Sequence, residues 1–128
     1  MILVFDTNIL IDLSRKDQGT LERIKTLAKT YDDPAHITFP TYFEFMNGIL
    51  RTKQQQKYLD FLSRFPLLNT SRVTGNLLAS LKYKYDSMGK PIPFMDLFIA
   101  ALVMENNMIL VTKDKDFGRI EEVQKLIL

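Results

Sequence analysis

Short apolar runs alternate with amphipathic segments along the 128 residues of this chain. The runs at 1–5 (MILVF) and 108–112 (MILVT) are rich in residues that favour β-structure, and polar residues follow each of them. Shorter apolar stretches at 36–39 and 67–68 also fit strands. Strands that alternate with helices predict an α/β fold, in which helices cover both faces of a parallel sheet.

The helices are predicted from apolar residues at helical spacing and from the residue types that begin or end helices. We expect Thr41 to cap the third helix and Gly89 to end the fifth. No repeat, low-complexity tract or linker interrupts the pattern, so we expect a single domain over residues 1–128. The predicted helices lie at 9–13, 20–31, 40–51, 53–65, 71–88 and 93–106, with a last short helix from Asp116 onward.

Composition narrows the chemistry that such a fold could carry. The chain has no cysteine, which excludes disulfides, zinc–thiolate sites and cysteine nucleophiles. Its single histidine, His36, excludes ribonuclease chemistry that needs a histidine pair. No apolar run approaches the ~20 residues that span a bilayer, and the apolar start lacks the basic region of a signal peptide. We therefore expect a cytoplasmic protein without a membrane partner.

Four acidic residues in separate stretches stand out by position. Asp6 ends the first strand, Glu44 lies early in the helix after the second strand, and Asp114 follows the last long strand. Asp96 is the one charged residue in the apolar segment PFMDLFIAALVM. Ligands bind beyond the carboxyl ends of parallel strands, so we expect these acids to lie together at one sheet edge. Such carboxylates repel one another, and their all-oxygen chemistry suits Mg²⁺ or Mn²⁺.

Each of these acids also has a purely structural explanation. Asp6 fits a helix cap, and Glu44 fits the last position of a capping box. Asp96 suits the positive end of a helix dipole, and Asp114 and Asp116 suit a solvated turn. The other aspartates lie away from strand ends and are interpreted as caps or solvated residues: Asp12, Asp17, Asp32, Asp33, Asp60 and Asp86.

Four motifs, in this order, resemble those of PIN domains, most closely the VapC-type toxins of VapBC toxin–antitoxin pairs. The motifs are FDTNILIDL (5–13), ITFPTYFEFMNGILR (37–51), GKPIPFMDLFIAA (89–101) and ILVTKDKDFGRI (109–120). The resemblance implies a PIN-like α/β fold, with a central parallel β-sheet sandwiched by α-helices. It also implies an endoribonuclease that depends on Mg²⁺ or Mn²⁺ and hydrolyses RNA phosphodiester bonds with activated water.

The resemblance assigns roles to particular residues. The catalytic, metal-binding acids would be Asp6, Glu44, Asp96 and Asp114, and the supporting polar residues would be Thr7, Asn8 and Thr112. Asp116 is the alternative fourth acid, because toxins of this kind often carry Asn where Asp114 stands. Asp114 is preferred, because it follows Thr112 on the same side of the strand. Weaker candidates for guiding the RNA backbone are Arg51, Lys90, Lys113 and Lys115.

The resemblance further implies a homodimer and a VapB-like antitoxin whose tail blocks the acidic cleft. Tyr42, Tyr58 and Phe61 are candidates for the antitoxin contact and equally for the core. Two alternatives stay within the family: an RNA-processing PIN domain that is not a toxin, and a degenerate metal-binding module. A phosphatase like the haloacid dehalogenases fits less well, because its nucleophile motif requires a second aspartate where Asn8 stands.

Overall fold

The computed structural model describes all residues from 1 to 128, and strands alternate with helices along it. The strands are β1 (Leu3–Phe5), β2 (Ile37–Thr38), β3 (Leu67–Leu68), β4 (Ile109–Thr112) and β5 (Lys125–Ile127). The α-helices are α1 (Thr7–Ser14), α2 (Gln18–Ala28), α3 (Phe39–Ile49), α4 (Gln55–Leu62), α5 (Arg72–Ser87) and α6 (Phe94–Glu105). A 3₁₀ helix spans Lys115–Arg119. None of the helices is both long and apolar enough to cross a membrane.

All strand pairings are parallel. β4 lies between β1 and β5, and β2 pairs with β3. A parallel bridge between Val4 and His36 joins the two groups, which gives the order β3-β2-β1-β4-β5. β2 and β3 therefore lie on one side of β1, and β4 and β5 lie on the other side.

Helices cover both faces of this sheet, as predicted. Val4 and Leu110 point into one apolar cluster, which they share with Leu81 of α5 and Leu97 of α6. Their strand neighbours, including Phe5 and Val111, point into a second cluster with residues of α1, α3 and α4. The alternation follows from strand geometry, since successive side chains leave opposite faces. The predicted α/β fold with a helix-covered parallel sheet is confirmed.

The strand order creates a natural crevice where β1 and β4 lie side by side. The chain leaves these two neighbouring strands toward opposite halves of the sheet, and ligands of open parallel sheets bind outside such a switch point. Asp6 directly follows β1, and Thr112 is the last residue of β4. The fold therefore places Asp6 beside this switch point.

Two local predictions need correction. The N-cap of α3 is Thr38, whose hydroxyl accepts the Thr41 amide at 3.4 Å, so Thr41 lies inside the first turn. Pro40 allows this earlier start, because its missing N–H costs nothing at a helix N-terminus. β5 was not predicted at all. It is a three-residue, partly exposed edge strand with the sequence KLI. This sequence is compatible with either a helix or a strand, and its pairing with β4 makes it a strand.

The turn after α5 does agree with the prediction. Gly89 has φ +67°, a left-handed conformation that ends the helix and that glycine adopts without steric cost. The Lys90 amide then donates to the Tyr85 carbonyl at 3.0 Å, closing the helix end. This turn starts the segment that leads into α6 and hence to Asp96.

Candidate active site

Asp6 is the best-buried acid of the candidate site, with 6% of the residue exposed. It receives hydrogen bonds from the Thr112 hydroxyl (2.6 Å), the Thr7 amide (2.8 Å) and the Asn8 side-chain amide (3.3 Å). Burial nevertheless raises the pKa of Asp6 above its ordinary value, and the charge of Asp114 adds to the effect. Asp6 also caps α1, as its structural explanation predicts. Capping the helix and belonging to the candidate site are compatible roles for this residue.

Glu44 lies on the exposed side of α3 and faces the start of α1. Its carboxylate lies 3.3 Å from the Thr7 hydroxyl, which in turn lies 3.1 Å from the Thr41 hydroxyl. Partial burial of the carboxylate and the nearby charge of Asp6 raise the pKa of Glu44. Because Thr38 rather than Thr41 caps the helix, the capping-box explanation for Glu44 is wrong.

Asp96 lies in the first turn of α6 and is partly buried. Burial raises the pKa of Asp96 to about 6, and four other carboxylates add to the rise: Asp114, Asp6, Asp116 and Glu44. A carboxylate placed only to complement the helix dipole would have a lowered pKa, since the dipole favours its charged form. The helix dipole favours the charge of Asp96, whereas burial and the neighbouring carboxylates oppose it.

Asp114 follows β4 and begins the 3₁₀ helix. Its amide donates to the Thr112 hydroxyl at 3.0 Å, and its own carboxylate accepts the Asp116 amide at 2.9 Å. Asp114 is partly buried, whereas Asp116 is exposed. Of these two acids, Asp114 has the larger effect on the pKa of Asp96.

Three of the four predicted acids, Asp6, Glu44 and Asp96, thus have raised pKa values, and the charge of Asp114 contributes to the rise for Asp6 and Asp96. Carboxylate and hydroxyl oxygens are the only side-chain donors that the acids and Thr112 offer, and these suit a hard divalent cation. As the side chains stand, no three carboxylates or imidazoles surround one point closely enough to hold a metal ion. Mg²⁺ usually keeps several of its own waters and binds through one or two carboxylates, so this spacing is compatible with a hydrated cation.

The predicted basic residues differ in their surroundings. Lys113 and Lys115 flank Asp114, but the Lys113 ammonium lies 2.7 Å from an Asp12 carboxylate oxygen. Lys90 lines a shallow pocket with Arg119, which donates to the Pro91 carbonyl at 2.8 Å. Arg51 follows the C-terminal end of α3, about 10 Å along the helix axis from Glu44. Of these four cations, Lys113 and Lys115 are chain neighbours of a candidate acid, and Lys113 is already paired with Asp12.

Sequence reasoning missed a groove that leads away from Glu44 between α1 and α3. It has a volume of about 230 Å³, and Arg15, Ser14 and Tyr58 are among its lining residues. Thr41, which contacts Thr7, was also missed as part of the site. Helical spacing could have indicated Ser14 and Arg15, because they lie three and four residues after Ile11, which also lines the groove.

Comparisons with known proteins identify the family of the chain. The PIN domain family model matches residues 3–123, and the chain belongs to this family. Within the family it resembles the VapC toxins of VapBC systems. The membership also removes the haloacid-dehalogenase alternative. No curated protein matches the sequence.

Solved structures of toxin–antitoxin complexes are similar over nearly the whole chain. VapBC2 from Rickettsia felis, bound to a promoter DNA fragment, is 25% identical with a TM-score of 0.85, covering 100% of this chain and 99% of that chain. VapBC-1 from nontypeable Haemophilus influenzae is 25% identical with a TM-score of 0.82, covering 99% and 98%. A toxin–antitoxin complex from Klebsiella pneumoniae is 26% identical with a TM-score of 0.77, covering 97% and 95%. These likenesses support a nuclease role.

Proposed function

We propose that this protein is an endoribonuclease that hydrolyses RNA phosphodiester bonds with Mg²⁺ or Mn²⁺ bound at Asp6, Glu44, Asp96 and Asp114. The observation that carries the proposal is that acids from separate segments meet at one sheet edge: Thr112 links Asp6 to Asp114 and Thr7 links Asp6 to Glu44 through hydrogen bonds. Burial and these acids also raise the pKa of Asp96. A protein that keeps such repelling charges at a crevice gains when a cation binds there. A bound divalent cation would acidify a water molecule and offset charge on the phosphate.

The chain's own residues prepare this site. Thr112 and Asn8 orient Asp6, and Thr7 orients Glu44, through the hydrogen bonds described above. These polar contacts hold the carboxylates at the crevice while leaving other oxygen lone pairs free for a cation. We assign Asp114 as the fourth acid and Asp116 as a flanking charge. Lys115, Lys90 and Arg51 remain candidates for guiding the RNA backbone, by charge alone.

The purified protein is expected to cut single-stranded RNA with Mg²⁺ or Mn²⁺ and to lose the activity in EDTA. Asp114→Asn should lose more activity than Asp116→Asn, because Asp114 acts more strongly on Asp96. Gel analysis of a labelled RNA would measure both effects. Cleavage that persists undiminished in EDTA would contradict the proposal, and a larger loss in Asp116→Asn would exchange the roles of the two acids.

We further propose that the protein is the toxin of a type II toxin–antitoxin pair, acting in the cytoplasm as a homodimer. The similarity to VapBC complexes supports a VapB-like antitoxin as partner. The groove beside Glu44 is the site that we assign to the antitoxin tail, because a segment lying there reaches the acids. Tyr58 lines this groove, whereas Phe61 packs against Phe45 and Phe65 in the core.

Exposed aromatic side chains on α3 and α6 support the homodimer. Phe39 and Phe43 lie one helical turn apart on α3 and are 44% and 55% exposed, and Phe94 at the start of α6 is 53% exposed. Apolar exposure of this kind beside a site is typical of a surface that contacts another protein. We propose that a second copy covers these residues.

Expression of the protein without an antitoxin is expected to arrest bacterial growth, whereas Asp6→Asn at the same protein level is expected to be tolerated. The reason is that uncontrolled RNA cleavage stops translation, and the variant loses an acid of the site while keeping the fold. Colony counts and immunoblots would measure the two effects. Equal toxicity of both proteins would contradict a nuclease toxin, and harmless expression of an active enzyme would favour an RNA-processing role.

A further inference from the structure

We propose that Asp12 is a positioning residue that holds Asp114 in place by binding Lys113. The inference rests on the proposed function, in which Asp114 binds the cation. Sequence alone places Asp12 among solvated aspartates. In the structure it is instead a bonded member of a network between α1, α2 and the segment after β4.

Lys113 is anchored to α1 at two points. Its backbone amide donates to the Asn8 side-chain carbonyl at 3.1 Å, and its ammonium lies 2.7 Å from the Asp12 carboxylate. Asn8 and Asp12 are four residues apart and therefore lie on the same face of α1. Both ends of Lys113 are thus tied to the helix that Asp6 caps.

Asp12 is itself fixed, which distinguishes the pair from an ordinary surface ion pair. The Thr20 hydroxyl, on a residue that is 3% exposed, donates to the same carboxylate oxygen at 2.7 Å. The Asp12 side chain is 23% exposed and that of Lys113 is 41% exposed. A carboxylate held by a buried donor loses little further freedom on binding Lys113, so the pair is more ordered than most exposed pairs.

Because Lys113 and Asp114 are adjacent in the chain, the contacts that fix Lys113 also restrict the position of Asp114. The Asp114 amide is held by the Thr112 hydroxyl, which donates to Asp6. The residues on both sides of the Lys113–Asp114 peptide are therefore fixed relative to Asp6. If the Asp12 bond is lost, only the Asn8 contact remains to fix Lys113, and the distance between the Asp6 and Asp114 carboxylates becomes less defined.

The test compares Asp12→Asn, Lys113→Met and the double variant. Each variant is expected to weaken Mn²⁺ binding about tenfold, as is typical when a residue behind a metal ligand is removed. The double variant should be no weaker than either single variant, because all three break the same contact. The concentration of Mn²⁺ that gives half of the rise in Tm measures binding without any activity assay. Lys113→Arg should keep near-normal binding.

Asp86→Asn is the matched control. It removes the carboxylate of another lysine pair, Lys82–Asp86 at 2.9 Å on α5, which contacts none of the site residues. This variant should bind Mn²⁺ as wild type does. The proposal is wrong if Asp12→Asn also binds Mn²⁺ as wild type does. It is also wrong if the double variant binds Mn²⁺ more tightly than Asp12→Asn alone, because Asp12 would then not act through Lys113.

Amide hydrogen exchange in the metal-free protein separates this inference from the proposed function. Asp12→Asn should speed exchange at the Lys113 and Asp114 amides severalfold, while Asp86→Asn should not. Unchanged exchange at these amides would overturn the positioning role. If exchange accelerates as expected but wild type shows no response to Mn²⁺, the tether exists and the metal-dependent function fails.

Discussion

Asp96→Asn is expected to lose RNA cleavage by about 100-fold or more and yet to melt at or above the wild-type temperature in EDTA. The loss follows because cation binding contributes several kcal/mol to phosphate chemistry, and each ~1.4 kcal/mol is tenfold in rate. The gain in stability follows because the variant removes one of several repelling charges. In wild type, Mg²⁺ or Mn²⁺ should raise Tm by mass action on the folded state.

The stability difference should also depend on pH in a defined direction. The pKa of Asp96 is about 6 in the folded protein, against an ordinary value of 3.8. A raised pKa means that the folded state binds the proton more tightly, so this group destabilises the fold as pH rises from about 4 through 6. The advantage of Asp96→Asn in EDTA should therefore be largest above pH 6 and should disappear near pH 4.

Thermal melts of wild type, Asp96→Asn and Asp60→Asn at several pH values would measure this. Asp60 is an exposed residue of α4 whose carboxylate accepts from Gln56, so its variant is the control for loss of a negative charge in general. A badly unfolded Asp96→Asn protein would show that Asp96 is a structural residue. In that case the argument from its raised pKa to a cation site would be wrong.

The parallel sheet was predictable because nearly every residue of its central strands is apolar. β1 and β4 are buried on both faces, and such strands consist of runs like LVF and ILVT. β5 escaped prediction because it is an edge strand with polar and exposed residues. Its identity depends on a partner that is distant in the chain, and local pattern carries no information about that partner.

Candidate site residues were predictable where a polar residue breaks a local rule. Asp96 interrupts an apolar helix, and Asp6 ends a buried strand, so both draw attention without any structure. The role of Glu44 was ambiguous, because the sequence does not show whether Thr38 or Thr41 caps its helix. Only a cap at Thr41 would place Glu44 in a capping box. The bond between Asp12 and Lys113 joins residues about 100 positions apart. Nothing in either local sequence indicates it.

The products of cleavage are expected to carry a 5′-phosphate and a 3′-hydroxyl. In the proposed reaction, water forms a new bond to phosphorus, the bond from phosphorus to the 3′ oxygen breaks, and that oxygen takes a proton. Attack by the ribose 2′-hydroxyl would instead need general bases such as histidine. The only histidine, His36, directly precedes β2 and forms a backbone β-bridge with Val4. It therefore lies at the amino end of β2, whereas Asp6 and Asp114 follow the carboxyl ends of β1 and β4.

A substrate with a single 2′-deoxy nucleotide at the scissile position should therefore still be cut, although its binding could be weaker. The 2′-hydroxyl has no bond-forming role in attack by water. A matched RNA that keeps the 2′-hydroxyl at this position and carries the deoxy nucleotide elsewhere is the control. Complete resistance of the first substrate alone would indicate that the 2′-hydroxyl is the nucleophile.

Mass spectrometry of the fragments tests hydrolysis by water most directly, using purified protein, a defined RNA and Mn²⁺. Our proposal predicts fragments that begin with a 5′-phosphate and end with a 3′-hydroxyl, none of them in reactions with EDTA, and about 100-fold fewer, or fewer still, with Asp96→Asn. Fragments that end in a 2′,3′-cyclic phosphate would contradict hydrolysis at the carboxylate site.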